Sequence, residues 1–342
     1  MNFAEGRTFL NSTTPLRISY LGGGSDYEEF FKSNQGAVLG CTFDWFVNTN
    51  FMALPKISRE QFRITYRLTE STNSIDEIQH PSVRESLRLL NVNTPLNIAT
   101  MSSVQGGTGL GSSSSFAVGL LNGLSHLKGV PTSPDALAHM AIKVERHILR
   151  EDGGWQDQCH AAWGGFRRYR FNVSGIETDL VINDENILGE ISSTHLMIWI
   201  GNESHSKLAS QKTSQGIKSK KTINYLKLNA ELAMVTSEKL MNCLELNVEK
   251  FLEIMSPAVV ENWELKKRFS SLELSDKTID LIALLKNYGL TTYKILGAGD
   301  RGFLLVLGDP DKIKEAIKSN QFGFTYSPRL VNQGSQLKEN YN

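Results

Sequence analysis

In the stretch GGTGLGSSSS, Gly106 to Ser115, four glycines lead into four consecutive serines, and the apolar run FAVGLLNGLSHL follows without a break. Glycine lets the backbone approach a ligand with no side chain in the way, and successive inward-facing amides make a concave anion site. A helix starting at the serines adds unpaired N–H groups and the positive end of its dipole. Phosphate is the guest that such a site fits. Hydroxyls in the first helical turn either donate to phosphate oxygens or turn lone pairs towards a divalent metal riding on them, so the chemistry is that of a nucleotide triphosphate. A flexible Gly/Ser linker is the competing meaning of this composition. A linker, however, gives no reason for the apolar Leu110 in its middle or for an apolar stripe in immediate register. The loop is not a Walker sequence, because Ser112 stands where lysine is required, and it contains no G-x-G-x-x-G. Positive charge must come from a metal or from elsewhere in the chain.

Three more stretches carry chemistry-bearing residues. PLRISYLGGGSDY, Pro15 to Tyr27, reads as a strand running into a three-glycine turn with Arg17 and Asp26 on either side. Such a turn either delivers a carboxylate to a pocket floor or is an ordinary hairpin turn with a solvated aspartate, and on these residues alone the ordinary turn is the simpler reading. KVERHILREDGGWQDQCHAAWGG, Lys143 to Gly165, holds two carboxylates of interest. Helical spacing puts Glu145 about 80° from Leu137, at the edge of an apolar face, where it either borders a site or pairs with Arg146 or Lys143. Asp157 lies between glutamines beside Trp155, and is either a shielded functional carboxylate or a helix cap. The basic stretch KLASQKTSQGIKSKK, Lys207 to Lys221, is either a solvated helix face or a source of cations, Lys207 or Lys212, for an acceptor that carries its own phosphate. His205 beside it is equally open.

The elements that must position these groups follow from periodicity. LRISYL, AVLGCTF, WFVNTNFMAL and FRITYRL read as strands of a mixed sheet. Phe116, Leu120, Leu121, Leu124 and Leu127 recur at helical spacing up to Gly129, and a second helix opens at Ser133 and Pro134. WQDQCHAAW predicts a shorter helix, and FRRYRFNV and ETDLVI a strand pair. The texture changes near Asn183, where a domain boundary is expected, giving units 1–182 and 183–342. The second contains the strand THLMIWIG, a helical run from roughly Lys220 to Met255, and the alternation DKTIDLIALLKNYG, TTYKIL, GAGDRG, FLLVLG, DPDKIKEAIKS. Such alternation predicts an open α+β sandwich.

The chain has 342 residues, with 36 Lys plus Arg against 36 Asp plus Glu, so no global field draws it to nucleic acid or an anionic membrane. Cys41, Cys159 and Cys243 are dispersed and form no C-x-x-C, which argues against a disulfide framework or structural zinc and for a reducing cytoplasm. MNFAEGRTFLNS has no signal-peptide run, and HLMIWIG is too short to span a bilayer. A soluble, cytoplasmic protein is expected.

Taken together, PLRISYLGGGSDY, GGTGLGSSSS and KILGAGDRGFLLV resemble, in order and spacing, the three motifs of the GHMP kinases, the family of galactokinase, homoserine kinase and mevalonate kinase. The resemblance covers most of the chain. With the VER helix and GWQDQ…GG it is nearest the sugar kinases of the D-glycero-D-manno-heptose 7-phosphate type, which phosphorylate the anomeric hydroxyl. It implies a two-domain α+β fold, ribosomal-protein-like at the amino end and ferredoxin-like at the carboxyl end, that binds ATP and Mg2+ and takes a small sugar or sugar phosphate, with no nucleic-acid or membrane partner. Oligomeric state stays open. By position, Gly107, Gly109, Leu110, Gly111, Ser112, Ser113 and Ser114 correspond to the loop around the nucleotide phosphates, and Ser113 with Glu145 to the magnesium ligands. Asp157 corresponds to the aspartate that acts as base or orients the attacking hydroxyl, Arg17 to a basic residue near the reacting phosphate, and Asp26 with Gly24 to the sugar-binding turn. Two departures stand out. Gln105 and Gly106 replace prolines common before the loop, and Asp300 and Arg301 replace glycines of the third motif. Arg301 either binds an acidic group of the substrate or pairs with Asp300 at the surface.

Overall fold

The computed structural model describes residues 8–55, 57–201, 217, 219–270, 274–297 and 302–341. Two long strands, β1 (Thr8–Leu21) and β2 (Gly36–Ala53), pair antiparallel across the three-glycine turn and the short helix α1 (Glu28–Phe31). AVLGCTF and WFVNTNFMAL, expected as separate strands, are one strand of 18 residues. The pairing slips where Leu16 faces Phe43 but Pro15 faces Phe46, a bulge at Asp44 and Trp45 that the ladder absorbs without ending the strand.

β2 forks the first sheet. Its first half pairs with β6 (Phe166–Asn172), which pairs with β7 (Gly175–Ile182). Its second half pairs with β5 (Leu96–Ser102), and beyond that lie β3 (Phe62–Thr65), parallel to β5, and β4 (Thr69–Thr72). Burial follows this fork: Gly36 to Phe43 are buried on both faces, whereas from Val47 burial alternates. On the doubly buried half, Val38 packs with Cys159 of helix α5 (Gln156–Trp163), and Leu39 and Cys41 pack with Ala230 and Ala233 of helix α7 (Lys220–Met241). Helices α2 (Pro81–Leu89) and α3 (Ser112–Leu127) cover the other end, burying Val83, Leu87, Leu120 and Leu124 against Phe51, Phe62 and Ile98. Gly119 and Gly123 let α3 lie directly on the sheet, since a methyl group at either would overlap Thr14 or the ring of Phe51.

The second sheet runs β11-β8-β10-β9, with β8 (His195–Gly201), β9 (Thr292–Ile295), β10 (Gly302–Leu307) and β11 (Thr325–Tyr326) all antiparallel. Its period of two separates its faces. Leu196, Ile198, Leu304 and Val306 pack with Trp263 of α8 (Val248–Ser270), Ile282 and Leu285 of α9 (Asp276–Asn287), and Ile313 of α10 (Pro310–Lys318). Met197, Phe303, Leu305 and Leu307 turn the other way and join the core of the first sheet. The architecture is α+β with two sheets, and among the described residues no helix is long and apolar enough to cross a membrane.

Two expectations change. The helical run from Lys220 to Met255 is two helices, α7 and α8, because Asn247 accepts the backbone N–H of Lys250 and starts a new helix, which then passes through Pro257 to Ser270. The segment 183–342 does not stay with the second sheet. β12 (Leu330–Val331) pairs with β2, and β13 (Gln336–Tyr341) pairs along the outer edge of β1, where Leu337 reaches the core of Leu10 and Phe51.

Candidate active site

The glycine loop sits at the amino end of α3. Gly107, Gly109 and Gly111 have φ of 84°, 81° and 78°, the left-handed region that favours glycine. Gly111 is the residue before the helix, which begins at Ser112. Leu110 is fully buried in the main core, and its carbonyl accepts the N–H of Arg17 at 3.1 Å. That anchor is the reason for an apolar residue within the loop.

The third glycine stretch packs on the loop backbone to backbone. A methyl group at Gly297 would come within 2.5 Å of the Cα of Gly109, and one at Gly302 within 2.5 Å of the Thr108 carbonyl. Gly297 and Gly302, on either side of the β9–β10 connection, thus brace the loop from the second sheet. Asp300 and Arg301 lie within that connection, outside the described residues, as do Lys207, Lys212 and His205.

Arg17, 6 % exposed, points from β1 to the loop. Its Nη1 donates to the Gly109 carbonyl at 2.6 Å, while Nε and Nη2 donate to the two carboxylate oxygens of Asp157 at 2.8 and 2.9 Å. This is the planar two-point pairing that a guanidinium makes with a carboxylate. A methyl group at Gly111 would lie 3.4 Å from the Asp157 carboxyl carbon, so loop, arginine and aspartate adjoin. Asp157 stands in the first turn of α5 but is not its cap.

Asp26 does the work of a cap instead. It accepts the backbone N–H of Gln156 at 3.1 Å and that of Gly24 at 2.9 Å, and it is 1 % exposed rather than solvated. Burial raises its carboxyl above the usual aspartate value and the nearby Asp157 adds to this, against the lowering by the two N–H groups. Gly24 therefore acts through its N–H on Asp26. Gln156 and Ser19, unremarked in the sequence, hydrogen-bond to each other at 2.7 Å beside Gly23.

Glu145 lies in a π-helical turn, Lys143–Ile148, that continues α4 (Pro134–Ile142), and is 1 % exposed. It accepts from Ser114 Oγ at 2.9 Å, Ser113 Oγ at 3.4 Å and Gln158 Nε2 at 2.5 Å. Arg146 reaches instead to the Gly154 and Glu151 carbonyls. Burial raises the Glu145 carboxyl, with Arg146 and the hydrogen bonds opposing. Gln158 was not singled out from sequence; its signal is the Gln-Asp-Gln run in the first turn of α5, which turns Asp157 and Gln158 to different neighbours.

Residues 81–165, which span the loop, Glu145 and Asp157, match the family described as GHMP kinases N terminal domain. That stretch is similar to a GHMP kinase N-terminal domain. The chain is 24 % identical over 333 residues to D-glycero-alpha-D-manno-heptose 7-phosphate kinase of Campylobacter jejuni, covering 91 % of this chain and 92 % of that protein. It is 25 % identical to the bifunctional fucokinase/GDP-fucose pyrophosphorylase of Arabidopsis thaliana, covering 88 % of this chain but 30 % of that larger protein. Its fold is similar to that of a D-glycero-D-manno-heptose 1-phosphate kinase from Bacteroides thetaiotaomicron, with a TM-score of 0.76 at 19 % identity over 97 % of this chain and 100 % of that one. Lactococcus lactis galactokinase gives 0.71 at 12 % identity, over 96 % and 95 %.

Proposed function

We propose that the chain is an ATP-dependent sugar kinase whose acceptor is the anomeric hydroxyl of a heptose 7-phosphate or a related sugar. One observation carries the reading: Arg17 ties Asp157 to the Gly109 carbonyl, so a carboxylate able to receive a hydroxyl proton stands against the phosphate-binding loop. The full-length likeness to the Campylobacter heptose 7-phosphate kinase supports the choice of acceptor.

Phosphoryl transfer asks chiefly for positioning and charge neutralisation. The loop amides from Gly107 to Ser114 and the dipole of α3 bind the triphosphate, and Arg17 offsets charge on the transferring group. The turn that Asp26 and Gly24 shape borders the sugar, with Asp26 holding the turn against α5. The acceptor oxygen forms its bond to the γ-phosphorus as the bond to the β–γ bridging oxygen breaks, ADP leaves, and Asp157 takes the hydroxyl proton late. Among the described residues no three His, Cys, Asp or Glu side chains converge, so a cation here needs phosphate oxygens as well as protein ones. Glu145 and Ser113 present hard oxygen donors that fit Mg2+, with Ser114 and Gln158 fixing the carboxylate. When bound, the ion supplies charge neutralisation along the phosphates. Arg301 and Lys207 are assigned to the acceptor's own phosphate. The two units share the work, 1–182 carrying the loop and carboxylates and 183–342 bracing the acceptor side. The three cysteines are free thiols, which supports a cytoplasmic setting.

The test is ADP formation with purified protein and ATP over a panel of heptose 7-phosphate, free heptose, L-fucose, galactose, homoserine and mevalonate, with the product read by phosphorus NMR. A new anomeric phosphate from the heptose 7-phosphate alone is expected. ADP formation that depends on none of the sugars overturns the reading.

A further inference from the structure

Lys294, on β9 of the second sheet, is 6 % exposed, and neither of its hydrogen-bond acceptors is a carboxylate. Its Nζ donates to the Tyr20 carbonyl at 2.5 Å and to Asn262 Oδ1 at 2.7 Å. Asn262 Nδ2 donates to Asn229 Oδ1 at 2.5 Å, and that same oxygen accepts the N–H of Gly22 at 3.1 Å. Asn229 Nδ2 donates to the Gly23 carbonyl at 2.8 Å. The chain of bonds has one direction, on which both ends agree: the Gly22 N–H and Gly23 carbonyl orient Asn229, and the lysine at the far end donates to Asn262. Both atoms that Nζ faces are oxygens and accept from it, so Asn262 shows it oxygen and turns its nitrogen to Asn229. Asn229 must then offer oxygen there, and this is the acceptor that Gly22 needs. Asn262 and Asn229 are 3 % and 1 % exposed, so water does not take over either contact. The end of the relay is the three-glycine turn, whose next residues place Asp26 on the first turn of α5, beside Asp157.

We infer that Lys294, through Asn262 and Asn229, is a positioning residue for the Gly22–Asp26 turn and hence for the acceptor, with α8 and α7 carrying the constraint from the second sheet to the first. Its functional part rests on the kinase reading above; its structural part does not. Burial of a lysine amine whose acceptors among the described residues are uncharged is unfavourable, and a methionine fills the same volume without it. The polar relay accordingly serves placement of the turn.

Two variants test this. Lys294→Met removes the donor that holds Asn262 Oδ1 at one end of the relay. Asn262→Asp leaves Lys294 with a carboxylate partner but ends donation to Asn229, so it cuts the relay without stranding the cation. Hydrogen–deuterium exchange by mass spectrometry on the full chain, with no ligand present, is expected to show the amides of Gly22 to Ser25 exchanging about tenfold faster or more in both variants, with peptides of α3 unchanged. In turnover assays on the acceptor found above, both variants are expected to raise the acceptor KM about tenfold or more, with the ATP KM within about twofold of the parent. Unchanged exchange in the turn in either folded variant overturns the positioning role, whatever the enzyme's substrate proves to be. Faster exchange with equal rises in both KM values overturns the acceptor assignment.

Discussion

Arg17 meets three demands at once: it holds the loop through the Gly109 carbonyl, orients Asp157 with both arms of its guanidinium, and brings positive charge where the loop has no lysine. Removing the proton acceptor without removing the shape separates these roles. Asp157→Asn is expected to lower kcat by roughly 10²- to 10⁴-fold with ATP binding retained, measured by turnover and by calorimetric titration with nucleotide. Glu145 yields a prediction of a different kind. Burial raises its folded-state value above the ordinary 4.5, so its protonated form is favoured by folding, and the associated stability is present at low pH and lost as pH rises through the raised value. Without nucleotide or metal, Glu145→Gln should therefore gain thermal stability relative to the parent as pH rises above the ordinary glutamate value, read by calorimetry; a difference independent of pH contradicts the burial account. Residue type and setting singled out Arg17, Asp26, Glu145 and Asp157 but left an ordinary structural reading open beside a functional one. Gln158 and the Ser19–Gln156 pair were not singled out, because their meaning lies in contacts with residues 13 and 137 positions away.

At the scale of elements, the loop is a contact between two backbones. Gly109 and Gly297 both have positive φ and leave no room for a methyl group between them. Gly297→Ala should leave the fold cooperative but move the loop, weakening ATP binding about tenfold or more with a smaller change in acceptor KM, as measured by titration and by separate KM determinations. Equal ATP affinity would show that the brace is not needed. The loop and the start of α3 could be read from glycine, serine and apolar spacing. The strand β2 and the α7–α8 pair were read less well. A bulge at Asp44 and Trp45 interrupts periodicity without ending a strand, and the single cap at Asn247 divides two helices whose apolar patterns run on.

Across the whole molecule, the carboxyl-terminal segment closes the first sheet. Ser335 bonds to Thr14 and Asn122, Gly334 lies against the Ala162 carbonyl, and β13 covers the edge of β1. It therefore links α3 and α5, the two helices that carry the loop serines and Asp157. Deleting residues from 328 onwards should lower the unfolding midpoint by several degrees or prevent folding, which a thermal melt reports. Texture along the sequence does not announce this return, since strand pairing at such sequence distance leaves no local trace. The most direct measurement for the account is a crystal structure with Mg2+ and a non-hydrolysable ATP analogue. The triphosphate is expected on the amides of Gly107 to Ser114, with Arg17 and Asp157 facing the γ-phosphate and Glu145 and Ser113 facing the cation. A nucleotide bound with its phosphates away from this loop, or Glu145 remote from the cation, contradicts it.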